Sequence, residues 1–160
     1  LLTHGHPDHL GAVRALQQRF DVPCRGHRAE APLLAEIVDY ARRRLGMTLE
    51  PPLATASFGE DEAFSLGGRP FRVIPTPGHS PGGVCFAFEG FVLTGDTLFN
   101  QGVGRTDLPG GDGRLLAASI SSLLDGLPAE ADLYPGHGPS WTVAEACIWW
   151  RAAVGRGWFD

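Results

Sequence analysis

Seven residues near the start of the chain, Thr3-His4-Gly5-His6-Pro7-Asp8-His9, restrict what it can fold into more than any other stretch. They hold three imidazoles and a carboxylate, the nitrogen and oxygen donors that divalent zinc, iron and manganese accept, at a density rare in surface loops. In extended backbone the side chains at i and i+2 point to the same side, so His4 and His6 can converge on one ion while Gly5 leaves room between them. Pro7 fixes its own φ and biases His6 towards an extended conformation, which keeps the run out of a helix before Asp8 and His9. The pattern turns helical from Leu10, so Asp8 and His9 sit at the turn and can face a second ion beside the first. Four donors on one tetrahedral ion would leave it no open position. Two ions, each completed by ligands from distant segments, fit the run better.

Three such segments follow: Thr76-Pro77-Gly78-His79-Ser80-Pro81-Gly82, Thr94-Gly95-Asp96-Thr97-Leu98 and Tyr134-Pro135-Gly136-His137-Gly138-Pro139. With the opening run they resemble, in order and over nearly the whole chain, the metallo-β-lactamase superfamily, whose His-x-His-x-Asp-His signature is matched at His4, His6, Asp8 and His9. The resemblance implies a first metal on His4, His6 and His79, a second on Asp8, His9 and His137, and Asp96 bridging the two. Five of the chain's six histidines fall into this pattern. The fold implied is α/β, an αββα sandwich with the metals at one edge of its two sheets. Members usually carry about fifty or more residues before the opening motif, within ordinary domain size. Residues 1–160 are therefore read as one metallo-β-lactamase-like domain, incomplete at the N-terminus, with its first strands missing.

At 160 residues and 43% apolar side chains the chain can bury one real core. A net charge of -5 argues against a nucleic-acid surface, which needs clustered positive charge. All 13 basic residues are arginine, so lysine Schiff-base chemistry is excluded, and Arg42-Arg43-Arg44 reads as a solvated helix end. Cys24, Cys85 and Cys147 are odd in number and lack metal-finger spacing, which indicates reduced, mostly buried thiols and a cytoplasmic protein. No apolar run approaches the length that spans a membrane. An N-terminal targeting segment and the oligomeric state are not readable.

Local patterns predict a one-faced helix over Leu10 to Phe20, with Leu10, Val13, Leu16 and Phe20 inward and Asp8 as an alternative N-cap. A short strand at Val22 to Cys24 precedes a helix from about Ala29 to Leu45, stopped by Gly46, with His27 between them as a cap or packing residue. Met47 to Ser57 reads as a surface loop. Ala63 to Leu66 and Pro70 to Ile74 make a hairpin about Gly67-Gly68, and Val84 to Phe88 and Phe91 to Thr94 another about Glu89-Gly90. Asn100 to Gly113 is an irregular loop, followed by a helix over Arg114 to Leu124 and a strand over Asp132 to Tyr134. A last helix, Thr142 to Val154, docks Ile148, Trp149 and Trp150 onto the sheet, and the role of the tail from Ala146 to Asp160 stays open.

Two cations sharing a water would lower its pKa enough to supply hydroxide at neutral pH, with no need for a protein nucleophile. There is accordingly no Gly-x-Ser-x-Gly elbow and no cysteine placed beside a histidine. Asp8, Asp96 or metal-bound water would handle the proton. The stretch Gly102 to Asp112 together with Pro135 to Pro139 resembles the glyoxalase II-like (hydroxyacylglutathione hydrolase-like) branch, which implies a thioester such as an S-acyl thiol conjugate as the small-molecule substrate. A thiolate of pKa about 8.5 leaves without a dedicated acid, unlike an amide nitrogen. Glyoxalase II enzymes hold the glutathione tail through a lysine and a tyrosine after the bridging aspartate and through an added C-terminal domain. Here Arg105 stands at the lysine's place, either contacting substrate or bracing the loop through Asp107 or Asp112, no tyrosine follows, and the chain stops at Asp160. The expected metals are zinc first, with iron or manganese as alternatives. Two other readings remain open: a mononuclear-iron enzyme like the persulfide dioxygenases, which look similar around Gly104 to Asp107 but typically lack the glycine pair flanking His137, and an inactive or binding-only fragment with uncovered sheet edges.

Overall fold

The computed structural model describes residues 1–53, 55–59 and 61–156. Two short helices, α1 (Pro7–Leu10) and α2 (Val13–Phe20), follow the histidine-rich segment. Strand β1 (Cys24–His27) leads through a 3-10 turn (Arg28–Glu30) into α3 (Ala31–Tyr40), which widens into a π-helix (Ala41–Leu45) before Gly46. Next come β2 (Thr55–Phe58), β3 (Phe64–Leu66), β4 (Arg69–Pro75), β5 (Val84–Phe88) and β6 (Phe91–Gly95). A small hairpin of β7 (Leu98–Phe99) and β8 (Gly102–Val103) precedes α4 (Gly113–Asp125), β9 (Asp132–Pro135), β10 (Trp141–Thr142) and α5 (Val143–Val154).

The main sheet has six strands in the order β10-β9-β6-β5-β4-β3. β3 to β6 form an antiparallel meander, and β9 joins β6 in parallel. Gly67 and Gly68, both at positive φ (57° and 79°), make the two-residue β3–β4 turn, where side chains with a Cβ would be strained. The alternation within β5 explains how the layers stack. Cys85 and Ala87 face a core built with Leu116, Ile120 and Leu123 of α4 and Ala146 and Trp150 of α5. Val84 and Phe86 face the opposite way, onto Phe58, Phe71 and Val73. Beyond that layer the parallel pair β1–β2 carries a third cluster, in which Leu2, Leu10 and Cys24 meet Leu33 and Ile37 of α3. Helices, sheet, strands and helix therefore succeed one another as the αββα order requires. Each fully buried Leu or Ile in these layers contributes about 1.5–3 kcal/mol.

Several local expectations are corrected. The helix over Leu10 to Phe20 is two helices, and the break at Gly11-Ala12 shifts the helical phase, so Leu16 and Phe20 are 48% and 60% exposed. The inward residue of α2 is Gln17, whose Oε1 accepts the Leu53 N–H at 2.9 Å. The N-cap position is His6, and Asp8 lies inside the first turn. The early strand sits at Cys24–His27 rather than at Val22 to Cys24, and the segment read as a loop holds the first three residues of β2, created by pairing with distant β1. In α5 Trp150 is buried and donates to Ser121 Oγ at 3.0 Å, but Ile148 is 71% exposed. The last four residues of the tail, 157–160, lie outside the described residues.

Thr142 starts α5 with a capping box: its hydroxyl accepts the Glu145 N–H (3.3 Å) and the Glu145 carboxylate accepts the Thr142 N–H (2.8 Å). Thr142→Ala should cost about 1 kcal/mol, or roughly 2–4 °C of Tm at this size. Thermal unfolding checks this. An unchanged Tm would mean that packing alone holds the helix end.

Candidate metal centre

Topology brings the distant segments together. β4, β6 and β9 run in the same direction in the sheet, so the residues after them emerge at one end. His79 follows β4, Asp96 follows β6 and His137 follows β9. The opening segment is held at the same end, with the Leu2 N–H donating to Arg25 O and the Val84 N–H to Thr3 O, both at 2.9 Å. His6 has the extended backbone read from the sequence (φ -75°, ψ 156°), but the helix starts at Pro7 rather than Leu10, so Asp8 and His9 project from α1 itself.

The seven residues named from the sequence lie in two adjoining groups, one of His4, His6 and His79, the other of Asp8, His9, Asp96 and His137, with candidate donor atoms within 4.8 Å of one another in each. In the first, His79 Nε2 lies 2.8 Å from His6 Nδ1 and 3.2 Å from His4 Nε2. In the second, His9 Nε2 lies 3.1 Å from Asp96 Oδ1, and His137 Nε2 lies 3.0 Å from Asp8 Oδ2 and 3.4 Å from Asp96 Oδ2. Asp96 Oδ2 also lies 3.7 Å from His79 Nε2, so this one carboxylate touches both groups. The first group is buried, while Asp8 and His137 stand at the solvent edge.

The electrostatics suit a cation. Burial, reinforced by the neighbouring imidazoles, pushes His4 far below the usual histidine range and His6 down to about 4, leaving their lone pairs free for ligation at neutral pH. Burial also opposes the charge on His9, but the Asp96 carboxylate beside it outweighs that and draws its pKa up. Asp96 is moved up by burial and down by more through His9, so it stays ionised. Among the described residues, buried His6 Nε2 has no hydrogen-bond partner, an arrangement otherwise costly that a metal would relieve. His79 Nδ1 is 2.7 Å from the Arg105 carbonyl and donates to it, which fixes the tautomer that leaves Nε2 bare. A donor set of imidazoles and carboxylates with such outer partners fits two divalent ions.

The Arg105 side chain lines the cleft over the site and is paired there. Its guanidinium grips Asp107 in a two-pronged, exposed pair at 2.7 and 2.6 Å, the loop brace, while Asp112 caps α4. His27 packs on Phe58, with ring centroids 5.9 Å apart, and joins neither donor group. Sequence reading missed two contributions: the Arg105 carbonyl on His79, and Glu30, a carboxylate 1% exposed behind the first group. Neither has a local signal, since a backbone carbonyl is common to every residue and a glutamate opening a helix reads as ordinary first-turn charge. A cleft of about 420 Å³ opens over the site, with Leu45, Met47, Phe99, Val103 and Leu108 among its walls.

Comparisons with known proteins agree with this architecture. A profile described as the metallo-beta-lactamase superfamily matches residues 1–137. The chain is 36% identical over 149 residues to hydroxyacylglutathione hydrolase GloC of Haemophilus influenzae, covering 91% of this chain and 70% of that protein. It superimposes with a TM-score of 0.81 on TTHA1623 in a di-iron-bound form (40% identity, 91% of this chain, 72% of that one). The same score relates it to the BLEG-1 B3 metallo-beta-lactamase (36% identity, 91% and 72%). The chain spans about two thirds of the length of the curated relatives it matches. Together with two donor groups meeting at one carboxylate, these likenesses show that the chain belongs to the metallo-beta-lactamase superfamily, whose relatives here include proteins named as metal-dependent hydrolases.

Proposed function

We propose that the protein is a dinuclear metallohydrolase acting on thioesters, in which His4, His6 and His79 would hold one ion, Asp8, His9 and His137 the other, and Asp96 would serve both. The observation that carries this reading is the position of Asp96 between the two donor groups. Such a pair of cations, when bound, would acidify a shared water and polarise a carbonyl. The protein's own part is to aim the ligands. His79 is locked by the Arg105 carbonyl, and the buried first group excludes water from its far side. Asp8, half exposed and 3.0 Å from His137, is the carboxylate able to exchange a proton with solvent at the rim. A thiolate leaving group asks nothing more of these residues, because it departs unprotonated.

The cleft supports the substrate class. Its walls are largely apolar, and its lining cation, Arg105, is engaged by Asp107. That fits an S-acyl thiol with an apolar acyl or thiol group better than a tail carrying several charges. The name of the Haemophilus relative is consistent with thioester chemistry, and the di-iron form of TTHA1623 leaves zinc and iron both admissible.

Metal analysis of the full-length protein should give two ions per chain, and anaerobic assays should show cleavage of apolar acyl thioesters at a kcat/KM at least about tenfold above that for S-lactoylglutathione, a difference of about 1.4 kcal/mol. One iron per chain with oxygen uptake would assign the site to a mononuclear oxygenase instead. Preference for a β-lactam or a phosphodiester would overturn the thioester assignment alone.

A further inference from the structure

We infer that Glu30 is a positioning residue for the first-ion site, a single carboxylate that fixes the His4-Gly5-His6 segment against the His79 loop. The inference rests on the two-ion reading for what is being positioned, and on hydrogen-bond geometry for how. Glu30 Oε1 accepts the Gly5 N–H at 2.8 Å. Its Oε2 accepts the Gly82 N–H at 2.6 Å and the Ser80 hydroxyl at 3.1 Å. Gly5 lies between two first-group histidines, and Ser80 directly follows the third. Segments separated by 50 or more residues in sequence are thus tied to the same side chain behind the imidazoles.

Three donors converge on an acceptor-only group that is 1% exposed. Hydrogen bonds to a charged group are stronger than those between neutral partners, and a buried donor left without one is costly. The surroundings leave little slack for replacing them. A Cβ at position 82 would lie 2.4 Å from Glu30 N and 2.8 Å from Glu30 Oε2, so the His79 loop passes directly over the carboxylate. On the other side, a Cβ at position 5 would meet Leu34, one turn further along the helix that Glu30 begins. The opening segment, the His79 loop and the helix start therefore meet at this carboxylate, and a shift of either histidine-bearing segment moves an imidazole.

Glu30→Gln is nearly isosteric, but its amide can present oxygen on only one side. The NH₂ must then face either the Gly5 N–H or the Gly82 N–H. The full-length protein, stripped and titrated with zinc against a chelating competitor, should bind one ion normally and the other about 10–100-fold more weakly, the usual cost of losing an outer partner of a metal ligand. The unfolding temperature of the metal-free protein separates positioning from folding, since a positioning role leaves a cooperative transition in place. To identify the weakened site, His137→Ala should hold one ion, and His137→Ala combined with Glu30→Gln should hold it about 10–100-fold less tightly. If Glu30→Gln does not fold, Ser80→Ala removes one donor and leaves the carboxylate, and should weaken the same ion by several-fold, about the loss of one hydrogen bond. Wild-type zinc affinity at both sites in Glu30→Gln, or in Ser80→Ala where that variant is used, overturns the inference. Fewer than two ions on the unmodified protein would instead count against the dinuclear reading itself.

Discussion

Asp96→Asn should lower kcat/KM by about 10³-fold, close to 4 kcal/mol of transition-state stabilisation, and reduce the metal content from two ions to one or fewer. The substitution preserves size and one acceptor oxygen, so the loss reads the charge. Asp96 is 9% exposed and its oxygens lie between 3.1 and 3.7 Å from His9, His79 and His137. Removing its charge takes away the one anion positioned to serve both donor groups, in surroundings too buried for solvent to compensate. His137 offers a contrast, because its side chain is 55% exposed and the carboxylates beside it, Asp8 and Asp96, both belong to the second group. His137→Ala should therefore release one ion and leave the first group intact. Elemental analysis and steady-state rates on the same preparations decide the matter, and an Asp96→Asn enzyme with two ions and unreduced kcat/KM would remove the bridging role.

Asp96 is assigned through the resemblance of its segment to one family, whereas the opening run carries its own local information. His4, His6, Asp8 and His9 sit in one run whose Gly5 and Pro7 already dictate an extended segment turning into a helix, and the structure has that geometry. The meander was equally legible, because Gly67-Gly68 and Glu89-Gly90 end their strands through their own backbone preferences. What failed depends on partners far away in sequence. β2 exists through its pairing with β1, about thirty residues earlier, so its own composition looks like a loop. Gln17 is inward because a loop N–H at Leu53 needs an acceptor, a demand invisible to apolar periodicity. Glu30 takes its donors from positions 25 to 52 residues away and reads locally as nothing more than a helix beginning. Candidate ligands announce themselves by type and spacing, whereas the groups that would aim them do not.

A second large effect is expected from a residue with no side chain to contribute. Gly136→Ala should reduce kcat/KM by about 10²-fold and weaken metal binding although no candidate ligand is itself replaced. A Cβ at this position would lie 2.3 Å from Asp96 Oδ1 and 2.9 Å from His9 Cε1. Real contacts do not close to that distance, so either the carboxylate and imidazole move or the backbone does. The backbone is restrained: the Gly136 N–H donates to Gly95 O at 2.7 Å, tying the His137 segment to the residue before Asp96. Displacement therefore falls on Asp96 and His9, and a misplacement of about 1 Å in a reacting constellation is enough for the loss of rate stated. The cost in stability should be smaller, about 1–3 kcal/mol for forcing an extra methyl into a packed site. Gly138 separates crowding from strain, since it takes φ +84° but has nothing within 4 Å of the added carbon. Gly138→Ala should cost about 1–2 kcal/mol of stability from its left-handed backbone and leave zinc affinity close to that of the unmodified protein. Chelator competition and thermal unfolding on both variants distinguish the two effects. If Gly136→Ala binds both ions as tightly as the parent, the close approach of the β9 end to Asp96 plays no part in forming the site, and the argument that the sheet's converging strand ends set the metal geometry loses its main support.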